Sequence, residues 1–228
     1  MSSVTRQPSP NFDDRRYPVD MLVLHYTGME TGDAALERMC DPAASVSAHY
    51  MVREGGEIVQ LVEEEKRAWH AGVSKWQGDE DLNSRSIGIE IVNGGHDWRL
   101  EDGRLPPYPN AQIDSVIELS RGIIERWNIP QTRIVGHSDI APARKQDPGE
   151  HFPWARLAQS GVGLWPLAMS GEQGTVETAL ATVGYETRDL PAAITAFQRR
   201  WRPARVDGIA DPDTRSIAFA VADTYSAG

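Results

Sequence analysis

Apolar and polar positions along the chain mark out strands and helices in turn. Val19-Asp20-Met21-Leu22-Val23-Leu24 reads as a buried strand that ends at His25, with the turn-prone Tyr26-Thr27-Gly28 behind it. Ala34 to Met39 predicts a short helix. Residues 47–53 and 57–62 predict two strands joined at Glu54-Gly55-Gly56, a hairpin signal. Ser86 to Val92 is a further strand, apolar from Ile87 onward except for Glu90. Between Pro109 and Trp127, Ile113, Val116, Ile117, Ile123, Ile124 and Trp127 recur at helical spacing, with proline near the start. This helix should cover one face of a sheet. Arg133-Ile134-Val135 is a short apolar run leading directly into Gly136-His137-Ser138-Asp139, so a second histidine also leaves a strand end. Residues 153–158 look helical. From about Gly161 to Gly174 periodicity is lost and glycine rises, as in a linker. Three helical stretches follow, at 176–183, 190–201 and 213–222.

Composition narrows the function classes. The 228 residues exceed one typical domain but are short for two, which suits a main domain with a small appendage. The net charge of -10 argues against nucleic acid as the partner, because a phosphate backbone is held by clustered Lys and Arg. It disfavours anionic membranes too, and no stretch is long and apolar enough to span a bilayer. Cys40 is the single cysteine, so no intramolecular disulfide is possible and nothing demands an oxidising compartment. The first residues, MSSVTRQPSPNFDDRR, have neither the apolar core of a signal peptide nor a lipidation cysteine. The expectation is a cytoplasmic monomer, or a periplasmic one if an export signal has been removed.

The candidate chemistry centres on His25, His137 and Asp147. Zinc takes imidazole and carboxylate ligands in a tetrahedron, and a hydrolytic site keeps one position for water. The Pro- and Gly-rich stretch from Gly136 to Gly149 can bring His137 and Asp147 to one point. Their spacing matches no short metal motif, so a core histidine and a turn aspartate remain the alternative. Glu90 is a carboxylate on an otherwise apolar strand, which is costly unless it is used or paired.

These residues lie within islands that resemble a known family. Leu24-His25-Tyr26-Thr27, Val46-Ser47-Ala48-His49-Tyr50, Ala68-Trp69-His70-Ala71-Gly72, Ser86-Ile87-Gly88-Ile89-Glu90, and Gly136-His137-Ser138-Asp139-Ile140 leading to Lys145-Gln146-Asp147-Pro148-Gly149 occur in order. Together they resemble the type 2 N-acetylmuramoyl-L-alanine amidases, which are related to peptidoglycan recognition proteins and phage amidases. The resemblance implies that His25, His137 and Asp147 bind Zn2+. It also implies that Glu90 is the general base and that Lys145 steadies the oxyanion. Phage-type relatives carry a catalytic tyrosine just before the second histidine; here that place is Ala48, so the acid-base work falls on Glu90. His49, Trp69, His70 and Asn93 are expected to line the substrate cleft, and His96 and His151 to lie at the surface.

The C-terminal stretch resembles the three-helix peptidoglycan-binding domain, through Ala196-Phe197-Gln198-Arg199 and the Val206-Asp207-Gly208 turn. Ile194, Phe197 and Trp201 fall at helical spacing and read as core. Arg199, Arg200, Arg202 and Arg205 read as a basic patch, meeting wall carboxylates or merely solvated. The implied fold is α/β, a mixed central β-sheet flanked by helices and followed by a small three-helix C-terminal domain. Expected bounds are 1–162 for the catalytic domain, 163–174 for a linker and 175–228 for the helical domain. The expected reaction is hydrolysis of the amide between anhydro-N-acetylmuramic acid and L-alanine in peptidoglycan fragments or muropeptides. The competing expectation is a non-catalytic peptidoglycan-binding protein, against which the complete ligand set counts; a zinc hydrolase acting on another acylated amino sugar or peptide is a third.

Overall fold

The computed structural model describes residues 4–166 and 174–227. Its strands are β1 (Val4–Arg6), β2 (Phe12–Asp14), β3 (Met21–Tyr26), β4 (Tyr50–Val52), β5 (Ile58–Gln60), β6 (Lys66–Ala68), β7 (Ser86–Ile91) and β8 (Ile134–Gly136). The α-helices are α1 (Gly32–Cys40), α2 (Leu82–Arg85), α3 (Asn110–Trp127), α4 (His137–Ile140), α5 (Trp154–Gln159), α6 (Val176–Val183), α7 (Leu190–Trp201) and α8 (Pro212–Ser226). Six strands form one sheet in the order β1-β5-β4-β7-β3-β8; β2 pairs with β6 in a separate ribbon. In the main sheet β4, β7, β3 and β8 run parallel, and β5 turns back antiparallel to β4. The sheet is therefore mixed, as expected, and the Glu54-Gly55-Gly56 hairpin is formed.

Alternation along β3 sends its side chains into two cores. Leu22 and Leu24 join Ile87, Ile89 and Ile91 beneath α3 and α5, whereas Met21 and Val23 point the other way. That second face packs on Trp76, Leu82 and Ile140, and the same cluster runs on without a break into Leu180, Phe197, Trp201 and Phe219 of the C-terminal helices. Ile194, Phe197 and Trp201 are buried, as their spacing predicts. A third cluster lies between α1 and the β4/β5 hairpin.

Helix ends follow their caps. Thr31 accepts from the Ala34 amide at the start of α1, Asp189 from Ala192 at the start of α7, and Asp211 from Thr214 at the start of α8. Helices α6 and α7 occupy the predicted spans, while α8 runs four residues past its expected end at Ala222. Strand β3 lies two residues further on than predicted and includes His25 and Tyr26. Strands β1, β2 and β6 are unpredicted. Each is three residues long, and β1 and β2 are exposed throughout, so no apolar alternation announces them. Of the expected linker, residues 167–173 lie outside the described residues.

Among the described residues no helix is long and apolar enough to cross a membrane.

Candidate active site

The carboxyl ends of three neighbouring parallel strands, β7, β3 and β8, meet at one edge of the sheet, the place where open α/β sheets form their crevices. His25 lies near the end of β3, opposite Glu90 on β7, and Gly136 ends β8 one residue before His137. Asp147 comes back on the loop after α4, held there by the Ser138 amide, which donates to the Asp147 carbonyl at 2.8 Å.

The three side chains expected to bind metal do converge. His25 Nδ1 lies 3.0 Å from His137 Nδ1 and 2.9 Å from Asp147 Oδ2, and His137 Nδ1 lies 3.0 Å from the same oxygen. All three residues are buried. The far nitrogen of each ring is already committed: His25 Nε2 donates to His70 Nδ1 at 3.0 Å, and His137 Nε2 donates to the Ala71 carbonyl at 3.0 Å. Neutral rings so arranged turn both Nδ1 lone pairs and a carboxylate oxygen toward one point. Three acceptors converge there without a proton to share, an arrangement that a cation satisfies. Zinc bonds of 2.0–2.1 Å in a tetrahedron put ligand atoms ~3.3 Å apart, so the cluster fits such an ion with little movement. Burial, reinforced by the neighbouring His137, lowers the His25 pKa to about 4.

His70 completes a relay behind His25. Its Nδ1 accepts from His25, its Nε2 donates to Ser86 Oγ at 3.3 Å, and Ser86 Oγ donates to the Leu82 carbonyl at 2.6 Å. The ring rests on Gly88, where a Cβ would come within 2.5 Å of it. Only glycine leaves that space on β7. His70 is thus a buried support for a ligand rather than a residue of the cleft wall.

Glu90 has one buried carboxylate oxygen with no hydrogen-bond partner. Burial pushes its pKa well above the usual carboxyl value, and the Asp147 charge adds to this while Lys145 opposes it. Glu90 also lines a cavity of about 490 Å3, together with Thr27, Met29, Arg38 and Trp98. Lys145 is half-buried and lies near enough to influence both Glu90 and His25.

Two expected cleft residues are elsewhere. His49 is fully buried: its Nδ1 accepts from the Gly88 amide at 2.9 Å and its Nε2 donates to the Lys66 carbonyl at 3.0 Å. It ties strand to loop and offers no ring atom to a ligand. Asn93 donates through Nδ2 to the Pro106 carbonyl, accepts from the Gly95 amide and meets His151 at 3.3 Å, so it shapes a loop. Trp69 is half-buried and touches no described cavity. Nor are His96 and His151 free surface residues. His96 links Tyr26 Oη (3.0 Å) to Glu150 (3.0 Å), and His151 stacks on Tyr108. Sequence carried no signal for these contacts, which join loops distant along the chain.

The arginines expected as a basic patch are paired instead. Arg199 lies 3.5 Å from Glu150, and the buried Arg200 donates to Asp139 Oδ2 at 2.8 Å and to the Ile134 carbonyl at 3.1 Å. Arg202 pairs with Asp211 and Asp213, and Arg205 with Asp207 and Asp211. Tyr185 donates to Asp139 Oδ1 at 2.6 Å, and the Gly136 amide donates to Oδ2 at 2.8 Å. The C-terminal helices thereby grip the short helix that begins with His137.

Fold and site define a hydrolase of the α/β class with two imidazoles and a carboxylate gathered at the strand ends. The chain belongs to the N-acetylmuramoyl-L-alanine amidase family, whose model matches residues 15–150. It is 40% identical, over 238 aligned positions, to the N-acetylmuramoyl-L-alanine amidase AmiD of Escherichia coli K12, covering 92% of this chain and 84% of that protein. It is 40% identical over 173 positions to the 1,6-anhydro-N-acetylmuramyl-L-alanine amidase AmpD of the same organism, covering 67% of this chain and 88% of that one. Among solved structures it is similar to AmpDh3 from Pseudomonas aeruginosa, with a TM-score of 0.81 at 32% identity over 92% of this chain and 94% of that one. It is also similar to E. coli AmiD in complex with anhydro-N-acetylmuramic acid-L-Ala-D-gamma-Glu-L-Lys, with a TM-score of 0.80 at 36% identity over 92% of this chain and 91% of that one.

Proposed function

We propose that the protein is a zinc-dependent amidase that cleaves the bond between the lactyl carbonyl of anhydro-N-acetylmuramic acid and the L-alanine nitrogen of a soluble muropeptide. The observation that carries this reading is the triangle of His25 Nδ1, His137 Nδ1 and Asp147 Oδ2, 2.9 to 3.0 Å on each side, next to a carboxyl group with an unpartnered oxygen. Names and bound ligands of similar proteins support the substrate class.

His25, His137 and Asp147 would hold zinc, which would supply Lewis-acid activation of the carbonyl and of the attacking water. The chain's own groups do the rest. Glu90, whose burial makes its carboxylate more basic, takes a proton from the water as it adds and delivers it to the departing alanine nitrogen. Lys145 places a positive charge where the tetrahedral oxyanion develops. The His70–Ser86 relay and the Ala71 carbonyl keep the two imidazoles turned toward the metal. The helical module serves this reading as a brace for the α4 turn, to which Arg200 and Tyr185 are tied through Asp139.

Metal analysis joined to mass spectrometry of the products from a purified anhydro-muropeptide, with and without a chelator, tests the reading. Free stem peptide should appear, vanish on chelation and return with added zinc. Persistent cleavage in the chelated, metal-free protein overturns it.

A further inference from the structure

The cavity beside Glu90 is lined by two carboxylates, Glu30 and Glu90, and by one cation, Arg38. Arg38 stands in the last turn of α1 and is exposed, with no acidic group within ion-pairing distance of its guanidinium among the described residues. Most arginines of this chain are committed, to Asp20, Glu64, Asp81, Asp139 or Asp211 for example. An uncommitted guanidinium, the one cation lining a mostly apolar cleft whose other ionisable groups are Glu30 and Glu90, on a chain of net charge -10, invites an anionic ligand.

Resting on the amidase reading above, we propose that Arg38 determines specificity by binding the free α-carboxylate of the γ-linked glutamate, the second residue of the stem peptide. A γ-linkage leaves that carboxylate unblocked, so it is the first anion met after the scissile amide. It lies about two residues away, ~7 Å along an extended peptide. A cavity of about 490 Å3 is ~10 Å across if compact, so one end can hold the scissile bond near Glu90 while Arg38 meets the carboxylate. Without Arg38, Glu30 would repel the acidic stem. The planar guanidinium matches a carboxylate with two parallel hydrogen bonds, whereas an amide in its place offers one acceptor oxygen and no charge.

The test compares two soluble substrates, anhydro-N-acetylmuramoyl-L-Ala-γ-D-Glu and its α-carboxamide (isoglutamine) counterpart, on wild type, Arg38→Gln and Arg38→Glu. Wild type should favour the carboxylate in kcat/KM by about 10- to 100-fold. Arg38→Gln should bring the ratio close to one, with most of the loss on the carboxylate substrate, and Arg38→Glu should invert it. Because Arg38 is exposed, thermal melting should match wild type in both variants. A ratio unchanged by either variant, or a wild type indifferent to the two substrates, overturns the assignment. If wild type cuts neither substrate, the amidase reading fails separately, and calorimetric affinities for the same two molecules decide the role of Arg38: a preference lost in Arg38→Gln upholds it and an equal affinity overturns it.

Discussion

Glu90 and His25 face each other in register on adjacent parallel strands. The carboxyl proposed as base and the imidazole proposed as ligand therefore leave the same face of the sheet side by side, fixed by backbone pairing rather than by a loop. Glu90→Gln should retain zinc at wild-type stoichiometry while turnover falls by about 10²- to 10⁴-fold. Elemental analysis beside a product assay reads both. Metal lost in step with activity would mean that Glu90 supports the ligands instead of the chemistry.

Lys145 follows the loop that carries Arg144 and precedes Asp147. If its charge meets the oxyanion, Lys145→Ala should lower kcat by about 10²- to 10³-fold and leave substrate affinity nearly unchanged. An equal rise in KM with kcat preserved would make it a binding residue.

The ring of His70 occupies the space above Gly88. Gly88→Ala should push that ring aside, release His25 Nε2 from its acceptor and weaken zinc binding by about 10- to 100-fold. Competition against a chelator of known affinity measures this, and an unaltered zinc affinity would show that His70 does not orient His25.

His49 is held neutral inside the protein. Burial first, and the neighbouring Arg15 second, lower its pKa to about 3, whereas an unfolded histidine titrates near 6.5. Between those values the unfolded chain binds more protons than the folded one, so this residue's contribution is complete above pH ~6.5 and is lost as pH falls, at roughly 1.4 kcal/mol per pH unit. Whatever His49→Asn does at pH 7, its stability to urea should fall less steeply than that of wild type from pH 6 to pH 4. Parallel slopes would contradict a neutral His49.

Arg200 and Asp139 are 2% and 1% exposed. The guanidinium also lies over Trp154, 4.0 Å from the ring centre. Arg200→Met strands the Asp139 charge in the interior and should destabilise the fold by about 3–5 kcal/mol, and adding Asp139→Asn should restore part of the loss. Urea unfolding of both variants is the measurement. A single variant as stable as wild type would mean that water reaches Asp139.

Legibility in the sequence followed length and locality. Strands with a run of alternating apolar residues, such as Ser86–Ile91, and helices with local caps, such as α6 and α7, were visible in the chain. The short strands β1, β2 and β6 were not, because pairing with distant segments defines them. The ligand triad was legible through its motif islands, although the loop geometry that brings it together was not. His49 reads as a cleft residue because it is polar within a motif island, and Asn93 because it follows the Glu90 strand. Only the folded chain reveals that Gly88 and Lys66 consume the hydrogen bonds of one, and Pro106 and Gly95 those of the other. The arginines misled for a similar reason: Arg200 finds its carboxylate 61 positions earlier, beyond the range of any local pattern.

The cluster that joins Met21, Val23 and Val135 to Phe197 and Trp201 has an evolutionary corollary. A segment that supplies part of a continuous apolar core is not a cassette to be shuffled between proteins: removed, it bares apolar surface beside the α4 turn, and transplanted, it carries the matching surface with it. Drift on either side of that seam must be answered on the other, so these last helices and the sheet are bound to change in concert.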